Sequence, residues 1–577
     1  MLRLFRYLKN YKKQSIIGPL FKLIEACFEL AVPLVMAGMI DVGIKNSDTS
    51  YIARTAVILV VLGVLGLACA LTAQFFAAKA SLGFATALRR DLFAHINKLS
   101  YKQIDKIGSH TLVTRMTSDV NTVQTGVNML LRLFLRSPFI VLGSVIMAFT
   151  VSVKLTLIFL MMTPVLGFII WFIMHITTPR FGDIQKQVDR TNLLTSETLT
   201  GARVIRAFSR QENETKEFDA QNDLLCSRQL AAGRISALMN PLTCIVVNLA
   251  IIAVLYFGGR SVNIGGLTQG EVIALVNYLN QILLALMAMT ILVTSLTRMQ
   301  ACASRINAVF DIEPSITDGS ESPVECDKTA PAVEFKNVSF SYHADDDPEF
   351  MDISFSVKRG ETLGIIGATG SGKSTLMNLI PRFYDTDSGA VLVDGVDVRD
   401  YPLKQLRKKI GIVPQKAVLF KGTVRENLRF RDESATDGEI LGALEIAQAK
   451  DFVMKKPDGL DTVIQREGRN LSGGQRQRLT IARALIGSPD MLILDDSASA
   501  LDLATDAALR RAIAEKTEGL TVFIVSQRVS SVRRCDRIIV LDDGRVAGLG
   551  THSELLSGCE VYQEICRSQE STEEAAG

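Results

Sequence analysis

Apolar stretches long enough to cross a bilayer, which takes about 20 largely apolar residues in a row, fall at residues 15–40, 55–79, 132–152, 155–177, 238–259 and 273–297. Six spans return the chain to the side on which it began. The polar runs between them alternate in length. Those at 41–54, 153–154 and 260–272 are short and poor in charge. Those at 80–131 and 178–237 are long, charged and helix-forming, with Arg89, Arg90, Asp91, Lys98, Lys102 and Lys106 in one and Glu212, Lys216 and Glu217 in the other. The long runs read as helical extensions beyond the bilayer. Arg3, Arg6, Lys9, Lys12 and Lys13 precede the first span, and a basic flank favours the cytoplasmic side for the N-terminus and for everything that shares its side. The first apolar stretch is a full span without a small-residue cleavage site, so no cleavable signal peptide is expected.

Past the sixth span the pattern changes to the polar run Glu313-Pro314-Ser315-Ile316-Thr317-Asp318-Gly319-Ser320-Glu321-Ser322-Pro323. Such Pro, Gly and Ser content reads as a linker between domains. The expected organisation is a transmembrane domain over 1–311, a linker over 312–331 and a second domain over 332–577. Composition agrees: 577 residues with 48% hydrophobic is rich for a soluble protein. Nine cysteines, odd in number, scattered and without a C-x-x-C pair, argue against a disulfide framework or a zinc site. A net charge of +3 gives no case for a nucleic-acid partner.

The chemistry lies in the second domain. Gly367-Ala368-Thr369-Gly370-Ser371-Gly372-Lys373-Ser374 matches G-x-x-x-x-G-K-[ST], follows the strand-like run Leu363-Gly364-Ile365-Ile366, and opens a helix at Thr375-Leu376. Backbone amides of such a loop form an anion nest at a helix N-terminus, where Lys373 reaches the outer phosphates of ATP and the Ser374 hydroxyl can ligate Mg²⁺. Two further strand-like runs end in polar groups: Met491-Leu492-Ile493-Leu494 leads into Asp495-Asp496, and Val522-Phe523-Ile524-Val525-Ser526 leads into Gln527.

With Leu471-Ser472-Gly473-Gly474-Gln475 added, the chain resembles an ABC exporter half-transporter over nearly its whole length. The resemblance implies a multi-domain membrane protein: an all-α transmembrane domain of six helices, and an α/β P-loop ATPase domain with a helical subdomain. It implies that Tyr342 stacks on adenine and that Gly367 through Thr375 hold the phosphates. Ser374, Gln415 and Asp495 would serve Mg²⁺. The signature loop, Ser472, Gly473, Gly474 and Gln475, would close on the partner subunit's ATP, and Ser499-Ala500-Leu501-Asp502 would cross the interface. Two positions depart from the family. A glutamate normally follows the Mg²⁺-binding aspartate and positions the attacking water. Here Asp496 is one methylene shorter, a shift of about an ångström that costs on the order of 100-fold. The family's histidine at the γ-phosphate is Gln527, which can donate a hydrogen bond but cannot carry imidazole's charge. Gln415, Asp496 and Gln527 are therefore the candidate catalytic positions, in a site expected to bind ATP well and cleave it slowly. The run Gln465-Arg466-Glu467-Gly468-Arg469-Asn470 also deviates from the usual order before the signature.

An intact signature loop beside altered hydrolytic residues suggests a heterodimer with a second half-transporter. A homodimer with two slow sites and an ATP-gated channel or regulatory subunit are the alternatives. Candidate tips for coupling to the ATPase are His110–Arg115 and Thr200–Arg206. The cargo is an amphipathic small molecule, a lipid or a peptide. Lys22, Glu25 and Glu29 share one face of the first span and favour a polar-lined pathway for amphipathic cations, with an internal Lys22–Glu25 pair as the alternative. Asn277, Asn280, Gln281, Met287 and Met289 would give the sixth helix an adaptable surface.

Overall fold

The computed structural model describes residues 1, 3–319, 324–327, 329–342, 348–497 and 500–576. Ser320–Pro323 of the linker, His343 and Ser499 lie outside the described residues. Two compact units form: residues 1–97 with 109–312, and residues 98–108 with 313–577.

The first unit is helical. Among the described residues, six of its helices are long and apolar enough to cross a membrane: Leu4–Ile44, Thr49–Ile96, Ser109–Val151, Val153–Thr200, Gln211–Asn263 and Gln269–Phe310. At 1.5 Å per residue, Thr49–Ile96 with 48 residues is about 72 Å long, more than twice the roughly 30 Å hydrocarbon thickness. The long polar runs of the sequence are thus continuations of the spans. Small residues let the first two helices approach: a Cβ on Gly18 would stand 3.4–3.7 Å from the backbone of Ala73 and Ala77.

Pro33 lies inside the first helix and removes the N–H that would bond the carbonyl four residues back, that of Glu29. Gln281 Nε2 donates to that carbonyl at 3.0 Å, and Tyr278 Oη donates to the neighbouring Leu30 carbonyl at 2.9 Å. Backbone freed within a span must find such a partner. Gln281 is therefore committed to the fold. Asn277 and Asn280 donate to the carbonyls of Ile273 and Val276 on their own helix. The expected polar face of the sixth helix is in this way largely occupied.

The ionisable stripe of the first span is also paired. Lys22 Nζ lies 2.6–2.7 Å from both carboxylate oxygens of Glu25, with both residues buried, and Arg136 holds Glu29 at 2.7–2.8 Å. An unpaired ion in this setting is expensive, and each carboxylate here has a cation within bonding distance. The stripe is an internal charge network rather than a lining for cationic cargo.

The second unit is α/β. Its main sheet runs Arg545–Gly550, Arg537–Asp542, Thr362–Gly367, Thr521–Val525, Met491–Asp495, Ile410–Val413. All neighbours are parallel except the first pair. Central strands of a covered parallel sheet are apolar throughout, and Thr521–Val525 is buried at every position. A second sheet orders Phe350–Val357, Val333–Phe340, Ser388–Val393 and Val396–Asp397 antiparallel. Helices Asp437–Ile446 and Gly473–Leu485 pack with Val424–Arg429 into a helical part that carries the signature loop.

The short helix Tyr101–Ile107 also belongs to this unit. The Tyr101 ring packs 4.8 Å from that of Phe383, Tyr384 Oη donates to Asp105 at 3.1 Å, and Lys102 Nζ donates to the Ser341 carbonyl at 3.3 Å. His110–Arg115, expected at this position, falls instead in the first unit. The dividing residue is Gly108, whose φ of +82° ends the helix in a conformation that glycine adopts without strain. The other expected tip, Thr200–Arg206, ends the helix Val153–Thr200 and opens Ala202–Ala207 in the first unit, with Val204 and Phe208 exposed.

Candidate active site

Strand Thr362–Gly367 delivers the phosphate loop to the edge of the sheet, and the helix Lys373–Leu379 starts directly after it. The turn needs left-handed backbone twice, at Gly370 (φ +85°) and Gly372 (φ +83°). Glycine supplies it with no Cβ to clash. A cavity of about 200 Å³ opens there. Thr369 through Thr375 line one side, and Gln415, Asp495, Asp496, Ser526 and Gln527 line the other. These arrive from the ends of three adjacent parallel strands, the usual place for a ligand in such a sheet. Glu349, which sequence reasoning passed over, lines it too. Gly367 and Ala368 sit behind the lining, where their carbonyls accept from Lys373 Nζ at 2.9 and 2.6 Å, beside the Ser371 hydroxyl at 3.2 Å.

All three of those Lys373 partners are neutral oxygens. Burial pushes the Lys373 pKa down, opposed by the field of Asp496 and Asp495. A buried ammonium bonded only to neutral oxygens is matched to an incoming polyphosphate. Ser374 Oγ donates to Asp495 Oδ1 at 2.8 Å. Burial raises the Asp495 pKa, the Ser374 bond opposes this, and the charge of Asp496 adds to the rise. A hydroxyl and a carboxylate oxygen side by side, next to a second carboxylate, are the hard donors that suit Mg²⁺, so the residues fit the ion. Once bound, Mg²⁺ would neutralise charge on the phosphate oxygens.

The two departing positions are both here. Asp496 follows its strand in left-handed backbone (φ +45°), with its N–H donating to the Val525 carbonyl at 2.9 Å. Aspartate tolerates that region better than most residues because its short polar side chain can bond locally. Gln415 Nε2 lies 3.5 Å from Asp496 Oδ2, at the outer limit of a hydrogen bond. Gln527 is exposed at the end of the next strand.

Gln569, which no motif marks, brackets Gln527. It extends from the C-terminal helix Glu560–Ala576, whose Tyr562 and Cys566 are buried in the core and set the same face one and two turns earlier. Its Nε2 donates to the Gln527 carbonyl at 2.7 Å, and its Oε1 accepts from the Val529 N–H at 2.8 Å. One carboxamide thus stands in for a strand neighbour. Gln569→Ala is expected to speed amide exchange at Val529 about fivefold, the factor for one net hydrogen bond of roughly 1 kcal/mol, with ATP affinity unchanged. Hydrogen-exchange mass spectrometry with an ATP titration checks both.

Other expected residues stand apart from the cavity. Tyr342 is half-buried, with its ring edge-on to Phe340 and Tyr384 and its hydroxyl 2.9 Å from that of Thr375. Ser472, Gly473, Gly474 and Gln475 are not among the residues that line the cavity. They cap the helix Gly473–Leu485, Ser472 Oγ accepting from Gln475 N at 3.2 Å and Gln475 Oε1 from Ser472 N at 3.0 Å, and nothing lies within 4 Å of a Cβ on Gly473. Asp502 caps the helix Leu503–Lys516. The run Gln465–Asn470 closes on itself through Asn470, which accepts from Gln465 N and donates to the Val463 carbonyl.

Comparison with known proteins identifies what this arrangement is. Residues 15–286 match the model of the ABC transporter transmembrane region, and residues 350–499 match that of the ABC transporter. The chain is 37% identical over 99% of its length, and 98% of the relative's, to the uncharacterized ABC transporter ATP-binding protein YfiB of Bacillus subtilis. It is 31% identical, over 98% of its length and 97% of the relative's, to the ATP-dependent lipid A-core flippase of Vibrio vulnificus. It is also 31% identical, over 98% of each chain, to the putative multidrug export ATP-binding/permease protein YgaD of B. subtilis. A solved structure of a bacterial Atm1-family ABC exporter with ATP bound superposes with a TM-score of 0.81 over 97% of this chain and 98% of that one, at 23% identity, and so shares its fold. Fold and sequence together define a membrane transporter driven by ATP hydrolysis. The chain belongs to the ABC transporter family, as an exporter half-transporter with a six-helix membrane domain fused to its ATPase.

Proposed function

We propose that this half-transporter works as one subunit of a heterodimer, in which its own ATP site is slow and its signature loop completes a competent site on the partner. What carries the reading is that Asp496 and Gln527 line the same cavity as a complete phosphate loop, while Ser472–Gln475 stand outside it at the capped N-terminus of the helix Gly473–Leu485. In that reading Gln415, Asp496 and Gln527 are the hydrolytic positions, Ser374, Gln415 and Asp495 serve Mg²⁺, and Tyr342 contacts adenine. The basic residues ahead of the first span support a cytoplasmic side of the cell membrane for the N-terminus and for the ATPase domain, which follows six candidate spans. The names of the flippase and multidrug relatives support a lipid or drug-like amphiphile as cargo.

The test compares two substitutions in the purified complex. Ser472→Ala removes a donor aimed at the partner's ATP and should cut turnover by about tenfold or more, whereas Asp496→Ala should leave most of it. Equal losses from both favour a homodimer with two slow sites.

A further inference from the structure

The first unit holds a cavity of about 790 Å³ that takes in none of the polar residues singled out in the sequence. Its walls are the π-helical turn Arg115–Asp119, the helix Val120–Leu133 that continues it, and the sixth-span helix Gln269–Phe310. Arg305 bonds Asp119 at 2.5–3.0 Å, and a Cβ on Gly126 would come within 2.6 Å of Met299. The two walls therefore run antiparallel, with Asn121 toward one end, Arg298 near the middle and Ile291 toward the other.

Seven of the eleven lining residues carry hydroxyls, and most of those protons are already spent. Thr117, Thr122, Thr125, Thr290 and Thr294 each donate at 2.8–3.0 Å to the carbonyl four residues earlier on their own helix. The threonines thus offer a ligand oxygen lone pairs and methyl groups, not protons. The donors that remain include the Arg298 guanidinium and the amide nitrogen of Asn121, whose oxygen is held by Arg89 at 2.5 Å. No carboxylate is among the lining residues. Asp119, adjacent in sequence, is taken by Arg115 and Arg305, and Arg298 has no ion-pair partner among the described residues. Met129 and Ile291 add apolar surface.

We propose that this cavity receives an amphiphile with an anionic, hydroxyl-bearing headgroup, the anion meeting Arg298 and the hydroxyls donating to the threonine oxygens. The inference rests on the exporter reading and names its cargo class. A cationic headgroup meets an unneutralised guanidinium here, and a purely apolar cargo leaves the donors of Arg298 unsatisfied.

The experiment uses the purified full-length complex in neutral detergent, with dioctanoyl phosphatidylglycerol, dioctanoyl phosphatidylcholine and sn-glycerol 3-phosphate as probes. Calorimetric binding and ATPase stimulation are both read. Phosphatidylglycerol should bind and stimulate. Arg298→Gln should raise the concentration required by about tenfold or more, and Arg298→Lys should recover part of that. Thr125→Val with Thr294→Val, which keeps shape and removes two acceptors, should weaken phosphatidylglycerol a few-fold. Equal binding of phosphatidylcholine, or no shift on Arg298→Gln, overturns the proposal. Equal binding of glycerol 3-phosphate overturns its amphiphile half and leaves a site for soluble anions. A complex with no ATPase activity at all sinks the exporter reading instead, and the calorimetric result still decides the cavity.

Discussion

Lys373→Ala should weaken ATP binding at this chain's own phosphate loop, lowering affinity by about tenfold to a hundredfold. The ammonium is half the reason the loop can hold a polyphosphate, because a hydrogen bond to a charged group contributes roughly 1.5–3 kcal/mol. Its present partners, two backbone carbonyls and the Ser371 hydroxyl, return less, and burial already disfavours its charge. The fold should therefore survive the substitution: thermal stability without nucleotide stays close to that of the parent, while the added stability conferred by ATP is lost. The measurement is a melting curve with and without ATP, in a complex whose partner phosphate loop has been disabled. Undiminished stabilisation by ATP contradicts the assignment.

The parts of the molecule that were legible in the sequence are those set by local pattern. Six long apolar runs could be nothing but spans, because a stretch of that length has no other place to bury itself. The phosphate loop was legible because glycine spacing, lysine and flanking strand all lie within one short segment. What escaped depends on residues that meet only in the fold. Lys22 and Glu25 are three residues apart and their pairing could be suspected, but Glu29 finds Arg136 across 107 positions. Gln281 read as part of an adaptable surface of the sixth helix because nothing in its own helix shows that Pro33 has freed a carbonyl opposite it. His110–Arg115 was the expected tip, while the helix that belongs to the second unit is Tyr101–Ile107, and the signal that shows this is the packing of the exposed Tyr101 ring 4.8 Å from that of Phe383, 282 positions away, with Gly108 marking the boundary. Gln569 is 42 residues from the loop it holds, and the threonine cavity draws on two segments far apart in the chain. In each case the missing signal is long-range satisfaction of a polar group, which periodicity does not encode.

Restoring the family's residues should speed hydrolysis at this chain's own site. Asp496→Glu returns the carboxylate by about an ångström toward the attacking water, worth on the order of 100-fold if the geometry is recovered. Part of that is offset, because position 496 has φ +45°. Left-handed backbone costs roughly 1–2 kcal/mol for ordinary residues, and aspartate escapes some of it through local bonding that glutamate makes less well. Gln527→His returns a group able to carry charge at the position proposed to meet the γ-phosphate, on a loop whose backbone Gln569 already holds. The two side chains line one cavity, so their effects should couple rather than add, and the double variant should exceed the sum of the singles.

For the proposed heterodimer the decisive measurement is single-turnover phosphate release from a complex in which the catalytic glutamate expected in the partner is replaced by glutamine, leaving this site as the main source. The parent chain should release phosphate slowly, and the chain carrying Asp496→Glu with Gln527→His should release it at least about tenfold faster with ATP affinity unchanged. A double variant that binds ATP normally and releases phosphate no faster contradicts the account, and moves the cause of slow hydrolysis away from Asp496 and Gln527.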